Sequence, residues 1–216
     1  MLIPAPSLPR ARAGRPTRQQ AEARHEELLE AALDHFLDKG FEPATIEAIA
    51  AQVGMTKRTV YGLYADKSLL FRAAVHRAIE RYSISAERIA ATECGDLEQT
   101  LRNIALLRIE LVSSPQGMKL QRIINTESYR FPEIFAEVYE IGALPTIRFL
   151  ARLLERETAN GRLAIAEPSK AANVFMSMVV SGPVRIIVSG NPLSAAKIQE
   201  RVDYAVRLFL DGARPR

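Results

Sequence analysis

Residues 40–71 read GFEPATIEAIAAQVGMTKRTVYGLYADKSLLF, and they contain the clearest structural signal in the chain. Thr45 and Thr56 each stand where a threonine hydroxyl can cap the first turn of a helix. Gly54 separates the two short segments and permits a tight turn between them. Two short helices joined in this way are typical of a helix-turn-helix.

The apolar residues of this segment indicate which helix faces are buried. Ile46, Ile49, Ala50 and Val53 fall on one face of the first short helix at helical spacing. Together with Val60 they would pack the pair against a preceding helix, and the small Ala50 would lie where the helices pass closest. The opposite face of the second short helix is then left free.

That free face carries groups suited to duplex DNA. Lys57 and Arg58 can donate hydrogen bonds to guanine O6 and N7, and the Thr59 and Tyr61 hydroxyls can reach bases or phosphates. Lys67 opens the next helix, where a cation opposes the helix dipole, which favours a role in binding an anion. We therefore predict that Lys57 and Arg58 can read bases, while Thr59 and Tyr61 can contact either bases or phosphates. The predicted phosphate contacts also include Thr45, Thr56 and Lys67.

Outside this segment the chain also reads as helices, because apolar residues recur at spacings of three and four without convincing strand-like alternation. A first helix is predicted over residues 17–39, ending at Gly40. A fourth is predicted from Lys67 to about residue 91, and Pro145 and Gly182–Pro183 should kink or split two later helices. Those later helices are predicted at about 96–114, 116–129, 132–159, 168–190 and 193–211.

The expected fold is all-α, with two domains. A three-helix helix-turn-helix domain should occupy residues 17–66, followed by a connecting helix over residues 67–91. An antiparallel helical bundle should occupy residues 96–211.

The net charge of +4 comes entirely from the start of the chain, because the residues beyond 21 carry 25 basic and 25 acidic side chains. We predict that residues 1–16 form a disordered basic arm, since a Pro-rich segment without acidic residues cannot bury a core. Such an arm is either a solvated tail or a contact to a polyanion, and we assign it to the DNA minor groove. The arginines concerned are Arg10, Arg12, Arg15 and Arg18.

Composition excludes several classes of protein. The chain has 216 residues, 48% hydrophobic and 25% charged, which is ordinary for a globular protein and unlike collagen or a chain disordered throughout. Cys94 is the single cysteine, so an intramolecular disulfide is excluded and a reducing cytoplasm is expected. The first residues differ from a signal peptide, and the most apolar stretch, 174–188, is too short to span a membrane.

The sequence lacks the constellation of residues that an enzyme needs. His25, His35 and His76 are isolated, and neither a glycine-rich phosphate loop nor a nucleophile elbow is present. Glu22 and Glu26 share a helix face with His25, but such a set arises often by chance on an amphipathic helix. We therefore expect no catalytic residue, no metal and no cofactor.

The segment closely resembles the DNA-binding domain of TetR/AcrR-type transcriptional regulators. The resemblance spans about residues 17–75 and rests on the pattern Gly40-Phe41-x-x-Ala44-Thr45-Ile46-x-x-Ile49-Ala50-x-x-Val53-Gly54-Met55-Thr56-x-x-Thr59-Val60-Tyr61-x-x-Tyr64-x-x-Lys67-x-x-Leu70-Phe71. It implies a homodimer whose paired recognition helices bind a palindromic DNA operator, usually to repress transcription. By this resemblance Lys57, Arg58 and Thr59 face bases, while Thr45, Tyr61 and Lys67 touch the phosphate backbone.

The second domain resembles the AefR-like C-terminal domain of some TetR-type proteins. The similarity rests on residues 122–133 and on the segment from Leu154 to Leu163. It implies a pocket between the C-terminal helices and a dimer face on the last two, and the apolar lining residues favour a hydrophobic small-molecule effector. A ligand that favours misplaced recognition helices would weaken DNA binding by the same coupling free energy. The predicted dimer-face residues are Met176, Val179, Val180, Val202, Val206 and Phe209.

An alternative interpretation is a helical ligand-binding or scaffold protein of the same fold without specific affinity for DNA. Gly62 and Leu63 keep this alternative open, because the family often has a larger residue at the first position and a polar one at the second. Gly62 should also weaken the recognition helix by about 1 kcal/mol relative to alanine. Leu63 is assigned no phosphate contact.

Overall fold

The computed structural model describes residues 17–190 and 193–215, and all regular elements within these ranges are helices. The predicted all-α class is therefore confirmed. The chain divides into two compact units, Met1–Leu70 and Phe71–Arg216. In the described ranges no helix is both long enough and apolar enough to cross a membrane.

The first unit contains three complete helices: α1 (Arg18–Lys39), α2 (Ile46–Gln52) and α3 (Lys57–Leu63). Thr17 caps α1 reciprocally, because its hydroxyl accepts from Gln20 N at 3.2 Å while Gln20 Oε1 accepts from Thr17 N at 2.9 Å. Helix α2 packs against both α1 and α3. The buried side chains of this unit are all apolar: Leu28, Leu29, Ala31, Ala32, Phe36, Leu37, Phe41, Ala44, Ile46, Ile49, Ala50, Val60 and Leu70.

The predicted fourth helix over residues 67–91 is wrong in its extent, because it consists of two helices. Helix α4 (Lys67–Arg81) ends where Ser83 Oγ donates to the Glu80 carbonyl at 2.8 Å. Helix α5 (Ala86–Ala90) begins after Ser85, whose hydroxyl accepts from the Arg88 amide at 3.3 Å. Serine side chains compete with the helical backbone for hydrogen bonds, and two of them here close one helix and open the next.

The second unit also contains a helical bundle around one apolar core. Its remaining elements are α6 (Leu97–Ser113), α7 (Pro115–Glu127), α8 (Pro132–Glu137), a π-helix (Val138–Ala143), α9 (Leu144–Ala159), α10 (Pro168–Val188) and α11 (Ala195–Ala213). Helix α10 packs against α6, α9 and α11, and α11 packs against α6. The largest fully buried side chains of this bundle core include Leu101, Ile104, Ile109, Leu150, Leu154 and Phe175.

Pro145 changes the hydrogen bonding of the helix predicted over residues 132–159. The π-helix Val138–Ala143 separates α8 from α9, and at its end Leu144 N bonds to the Tyr139 carbonyl five residues earlier. Proline has no N–H, so an α-helical bond is missing at Pro145 and the wider turn accommodates the chain before it. The expected interruption at this proline is therefore present, and it takes the form of a π-helix.

Pro183 does not split α10, which runs as one helix from Pro168 to Val188. The proline ring is buried, and α10 packs against α6, α9 and α11. These contacts offset the single backbone hydrogen bond that Pro183 cannot donate. Of the predicted kink or split at Gly182–Pro183, the split is therefore excluded, because the helix continues through Pro183.

Most of the residues predicted for a dimer face belong to the core of one chain. Met176, Val179, Val202 and Val206 are buried among α6, α9, α10 and α11 within a single copy. Phe209 packs on Phe175, with their ring centroids 5.0 Å apart. The prediction selected the apolar face of each helix, but that face is buried within one chain, so the predicted dimer face is wrong for these residues. Val180 is half-buried and lines a cavity.

Candidate nucleic-acid interface and cavity

Two threonine caps and one glycine turn build the helix-turn-helix. Thr45 Oγ1 accepts from Ala48 N at 3.3 Å to open α2, and Thr56 Oγ1 accepts from Thr59 N at 3.1 Å to open α3. Between the helices Met55 N bonds to the Ala50 carbonyl at 2.8 Å. Gly54 has φ +63°, a left-handed conformation that a residue with a Cβ rarely adopts.

Helix α3 has one buried side chain, Val60, and an otherwise exposed surface. Val60 anchors the helix, so six of its seven residues are free to meet a partner. Gly62 faces open space, because no heavy atom lies within 4 Å of the place where a Cβ would stand. The exposed residues are Lys57, Arg58, Thr59, Tyr61, Gly62 and Leu63.

Lys57 is paired with a carboxylate from the neighbouring helix. Its ammonium donates to Glu47 on α2 and lies 5.6 Å from the centroid of the Tyr61 ring. The hydrogen bond from Lys57 lowers the pKa of Glu47 and raises the pKa of Lys57, so both groups are charged at neutral pH. Glu47 therefore competes with any anion that Lys57 would bind.

Arg58 differs from Lys57, because it makes no ion pair with any residue of the described ranges. Its neighbour Thr59 shares a hydrogen bond with Thr56, the two hydroxyl oxygens being 2.8 Å apart. One hydroxyl hydrogen of that pair is used in the bond, and the other is left to donate outward. Arg58 is thus the predicted base-reading residue whose donors are most available.

Lys67 serves the protein's own backbone. Its ammonium donates to the carbonyls of Phe41 and Glu42, both at 2.8 Å, and of Ala44 at 3.1 Å. It also lies 4.6 Å from the centroid of the Phe41 ring. An ammonium has three donors, and all three are occupied by the loop between α1 and α2, so the predicted phosphate contact is corrected to a loop-stabilising role.

The predicted arm, residues 1–16, lies outside the described residues, which begin at residue 17, and so do Arg10, Arg12 and Arg15. Arg18 is the first residue of α1 rather than part of an arm. Its guanidinium Nε donates to Glu22 Oε1 at 2.8 Å on the helix surface.

A contact between α1 and the end of α3 was missed by sequence reasoning. His25 Nε2 lies 2.6 Å from the Tyr64 hydroxyl, and the two rings stack with centroids 5.9 Å apart. Burial raises the pKa of Tyr64, and nearby Glu26 adds to the effect. The two residues are 39 positions apart in sequence, so no local pattern predicts their contact. The contact indicates that His25 supports the end of α3.

The second unit contains a cavity of about 770 Å³. Residues of α4, α6, α7, α8, the π-helix and α10 line it, and most of the lining is apolar, including Ile79, Leu111 and Val184. Gly117 lets α7 begin against the end of α6, since a Cβ there would stand 2.3 Å from the Leu111 carbonyl oxygen. A cavity of this size and polarity is suited to a small organic ligand.

The capped helix pair with its exposed second helix defines a helix-turn-helix DNA-binding protein. Residues 28–74 match the family model of bacterial regulatory proteins of the tetR family, and residues 99–212 match the C-terminal domain of AefR-like transcriptional repressors. The chain therefore belongs to the TetR family of transcriptional regulators, with an AefR-like C-terminal domain. The predicted family and the expectation that the protein is no enzyme are confirmed.

Individual relatives agree with this assignment. The HTH-type transcriptional regulator YdeS of Bacillus subtilis is 23% identical over 88% of this chain and 91% of its own. A crystal structure of a TetR-family regulator from Mesorhizobium loti superposes with a TM-score of 0.77 at 25% identity, covering 93% of this chain and all of the other. The flavonoid-responsive regulator FrrA has a TM-score of 0.72 at 29% identity over 90% of this chain and 99% of its own.

Replacement of Lys67 tests its loop-stabilising role. Lys67→Gln should lower the free energy of unfolding by about 2 kcal/mol, because charge-assisted bonds to three carbonyls are lost. The matched control Lys39→Gln alters an exposed lysine of the same unit and should stay within about 0.5 kcal/mol of the parent. Urea titration followed by circular dichroism measures both. Equal stability of the two variants, with weaker DNA binding only in Lys67→Gln, would contradict the loop-stabilising role and support the predicted phosphate contact.

Removal of the Glu47 carboxylate should release Lys57. Glu47→Gln is expected to bind a random-sequence duplex more tightly and to steepen the dependence of log K on log salt by up to about 0.9, the effect of one added phosphate contact. Fluorescence anisotropy at several salt concentrations measures both. Glu27→Gln is the control, because it also removes an exposed, paired carboxylate, whose partner Arg24 lies on α1. If both variants gain equally, the competition with Lys57 is disproved.

Proposed function

We propose that this protein is a repressor that binds a palindromic DNA operator as a homodimer and leaves it when a small hydrophobic effector binds. The observation that carries the proposal is α3, held by Val60 alone and otherwise exposed, with cationic residues at its N-terminal end. In a helix-turn-helix the N-terminal part of the second helix enters the major groove.

The exposed residues of α3 differ in how many of their hydrogen-bond donors are free. Arg58 is proposed as the main base-reading residue, because its guanidinium can donate two parallel bonds to guanine. Lys57 contributes once Glu47 releases it, and Thr59 lies beside them on the same exposed surface. Thr45, Thr56 and Tyr61 are proposed to bind phosphates through hydroxyl or backbone donors. For the arm, Arg10, Arg12 and Arg15 are proposed to enter the minor groove.

The dimer face is proposed on the outward side of α10 and α11. Val174, Tyr204 and Leu208 are 62%, 64% and 54% exposed, respectively, in the single chain. Tyr204 and Leu208 border a groove between the two helices together with Met178 and Pro183, and Val174 lies on α10 one turn before Met178. Exposed large apolar side chains grouped on neighbouring helices mark a protein interface, and two copies of the pair would form a four-helix contact.

Ligand control is proposed to act through α4. This helix runs without interruption from Lys67, which holds the loop before α2, to the segment where Ile79 lines the cavity. A ligand that shifts the cavity end of α4 would disturb the loop held at its other end, and DNA affinity would fall by the same coupling free energy. FrrA is described as flavonoid-responsive, which supports a small organic effector for this chain also.

Selection of bound duplexes from a random pool tests DNA recognition directly. We expect an enriched palindrome whose half-sites lie about one helical turn apart. Arg58→Ala should then reduce the ratio of specific to random-sequence affinity about 10- to 100-fold, because a bidentate base contact is lost. Arg88→Ala, an exposed arginine of α5, should leave the ratio unchanged. Failure to enrich any sequence would favour the alternative of a ligand-binding or scaffold protein without specific DNA affinity.

The dimer face is tested by charge insertion. Tyr204→Glu with Leu208→Glu should convert the dimer to a monomer, because two charges would be buried on each side of the interface. Glu155→Lys on α9 is the control, since it changes the charge of an exposed residue elsewhere in the unit. Analytical ultracentrifugation gives the mass of each species. A parent protein that sediments as a monomer at micromolar concentration, or a double variant that still dimerises, contradicts the assignment.

A further inference from the structure

One wall of the cavity contains a buried guanidinium. Arg108 of α6 is only 8% exposed, although it belongs to the residues that line the cavity. Its Nη1 donates to the Gly142 carbonyl of the π-helix at 2.7 Å. Its Nε is buried without a hydrogen-bond partner in the described structure. Nη2 also makes no hydrogen bond, so the Nε–Nη2 edge of the guanidinium has no acceptor among the described residues.

The charge of Arg108 is also unbalanced. No carboxylate of the described ranges lies within ion-pair distance of it, whereas Arg102, six residues earlier on α6, is paired with Glu98 and Asp203. Burial lowers the pKa of Arg108, because no anion offsets the loss of hydration. An arginine keeps its proton even so, and an unpaired buried charge is strongly destabilising. A protein retains such a buried charge where an anionic partner neutralises it.

We propose that the effector is an amphipathic organic acid whose carboxylate binds the Nε–Nη2 edge of Arg108 while its apolar body fills the cavity. This inference rests on the proposed ligand control and specifies the chemistry of that ligand. A carboxylate has two oxygens at the spacing of that edge, so it accepts two parallel hydrogen bonds from the guanidinium. The apolar lining, including Leu111, Val138 and Val184, suits a hydrocarbon or aromatic body.

A purely structural role for Arg108 leads to a different expectation. If the guanidinium only tied α6 to Gly142, its removal would destabilise the ligand-free protein. If it awaits an anion, removal of the unpaired charge should leave the ligand-free protein at least as stable, because its desolvation is relieved. The melting temperature of Arg108→Met without ligand therefore separates the two roles before any ligand is added.

The binding experiment uses matched acids and neutral analogues on the full chain. Octanoate, dodecanoate, naphthoate and biphenylcarboxylate are each compared with the corresponding primary amide by calorimetry and thermal shift. At least one acid should bind the parent protein, its amide about 10- to 100-fold more weakly, and Arg108→Gln should lose the same factor toward the acid. Arg108→Lys should recover part of it. Arg148→Gln, which alters an exposed arginine of α9 outside the cavity lining, should bind the acid normally.

Each adverse outcome identifies the statement that fails. An amide that binds as tightly as its acid, or an acid that binds Arg108→Gln as tightly as the parent, overturns the organic-acid proposal, as does a parent protein that binds none of the acids. A lower melting temperature of ligand-free Arg108→Met also overturns it. Affinity for the selected duplex is measured in parallel with each ligand. If an acid needs Arg108 for binding but leaves DNA affinity unchanged, ligand control is refuted and the acid site is not. If a neutral amide releases the protein from DNA, ligand control is supported and the acid site is not.

Discussion

Two seven-residue helices, α2 and α3, present the proposed DNA contacts, and neither is long enough to be stable alone in water. Their conformation depends on burial of a few side chains against the first unit's core. Ile46, Ile49 and Ala50 fix α2, and Val60 fixes α3. One buried residue on α3 would allow the helix to rotate, so its two ends need separate attachment. Thr56 caps one end, and Tyr64 holds the other through His25.

The local features of this unit could be predicted from sequence because each depends on residues close together in the chain. A threonine cap needs only the amide three residues later, and Gly54 needs only its own backbone conformation. The surface of α3 follows from the apolar period. The role of Lys67 could not be predicted in the same way. The carbonyls that accept hydrogen bonds from its ammonium lie 23 to 26 residues earlier, and a backbone carbonyl has no side-chain signature in the sequence.

The second unit was harder to predict for a related reason. An apolar stripe on a helix indicates a buried face but does not reveal whether the partner is the same chain or a second copy. The stripe containing Val179 and Val206 is buried within one chain, and the outward groups lie at positions such as Tyr204 that the stripe excludes. The π-helix could not be predicted either, because Pro145 predicts an interruption of the helix but not which form the interruption takes. The burial of Arg108 could not be predicted from the sequence, because the burial of a single charged side chain depends on every helix packed around it.

Lys57 and Arg108 show how position decides what a cation can do. Lys57 is solvated and paired with Glu47, so the pair adds little stability and either partner is exchanged at small cost when a phosphate approaches. Arg108 has lost its water without gaining an anion, so its interaction with an incoming carboxylate is less screened and more selective for charge. The exposed cation is thus suited to reversible contact with a polyanion, and the buried one to discrimination among small molecules. The same physical argument that makes Arg108 costly to the ligand-free fold supports its proposed role as a sensor, because free energy recovered on ligand binding would be available to shift the helices that enclose it.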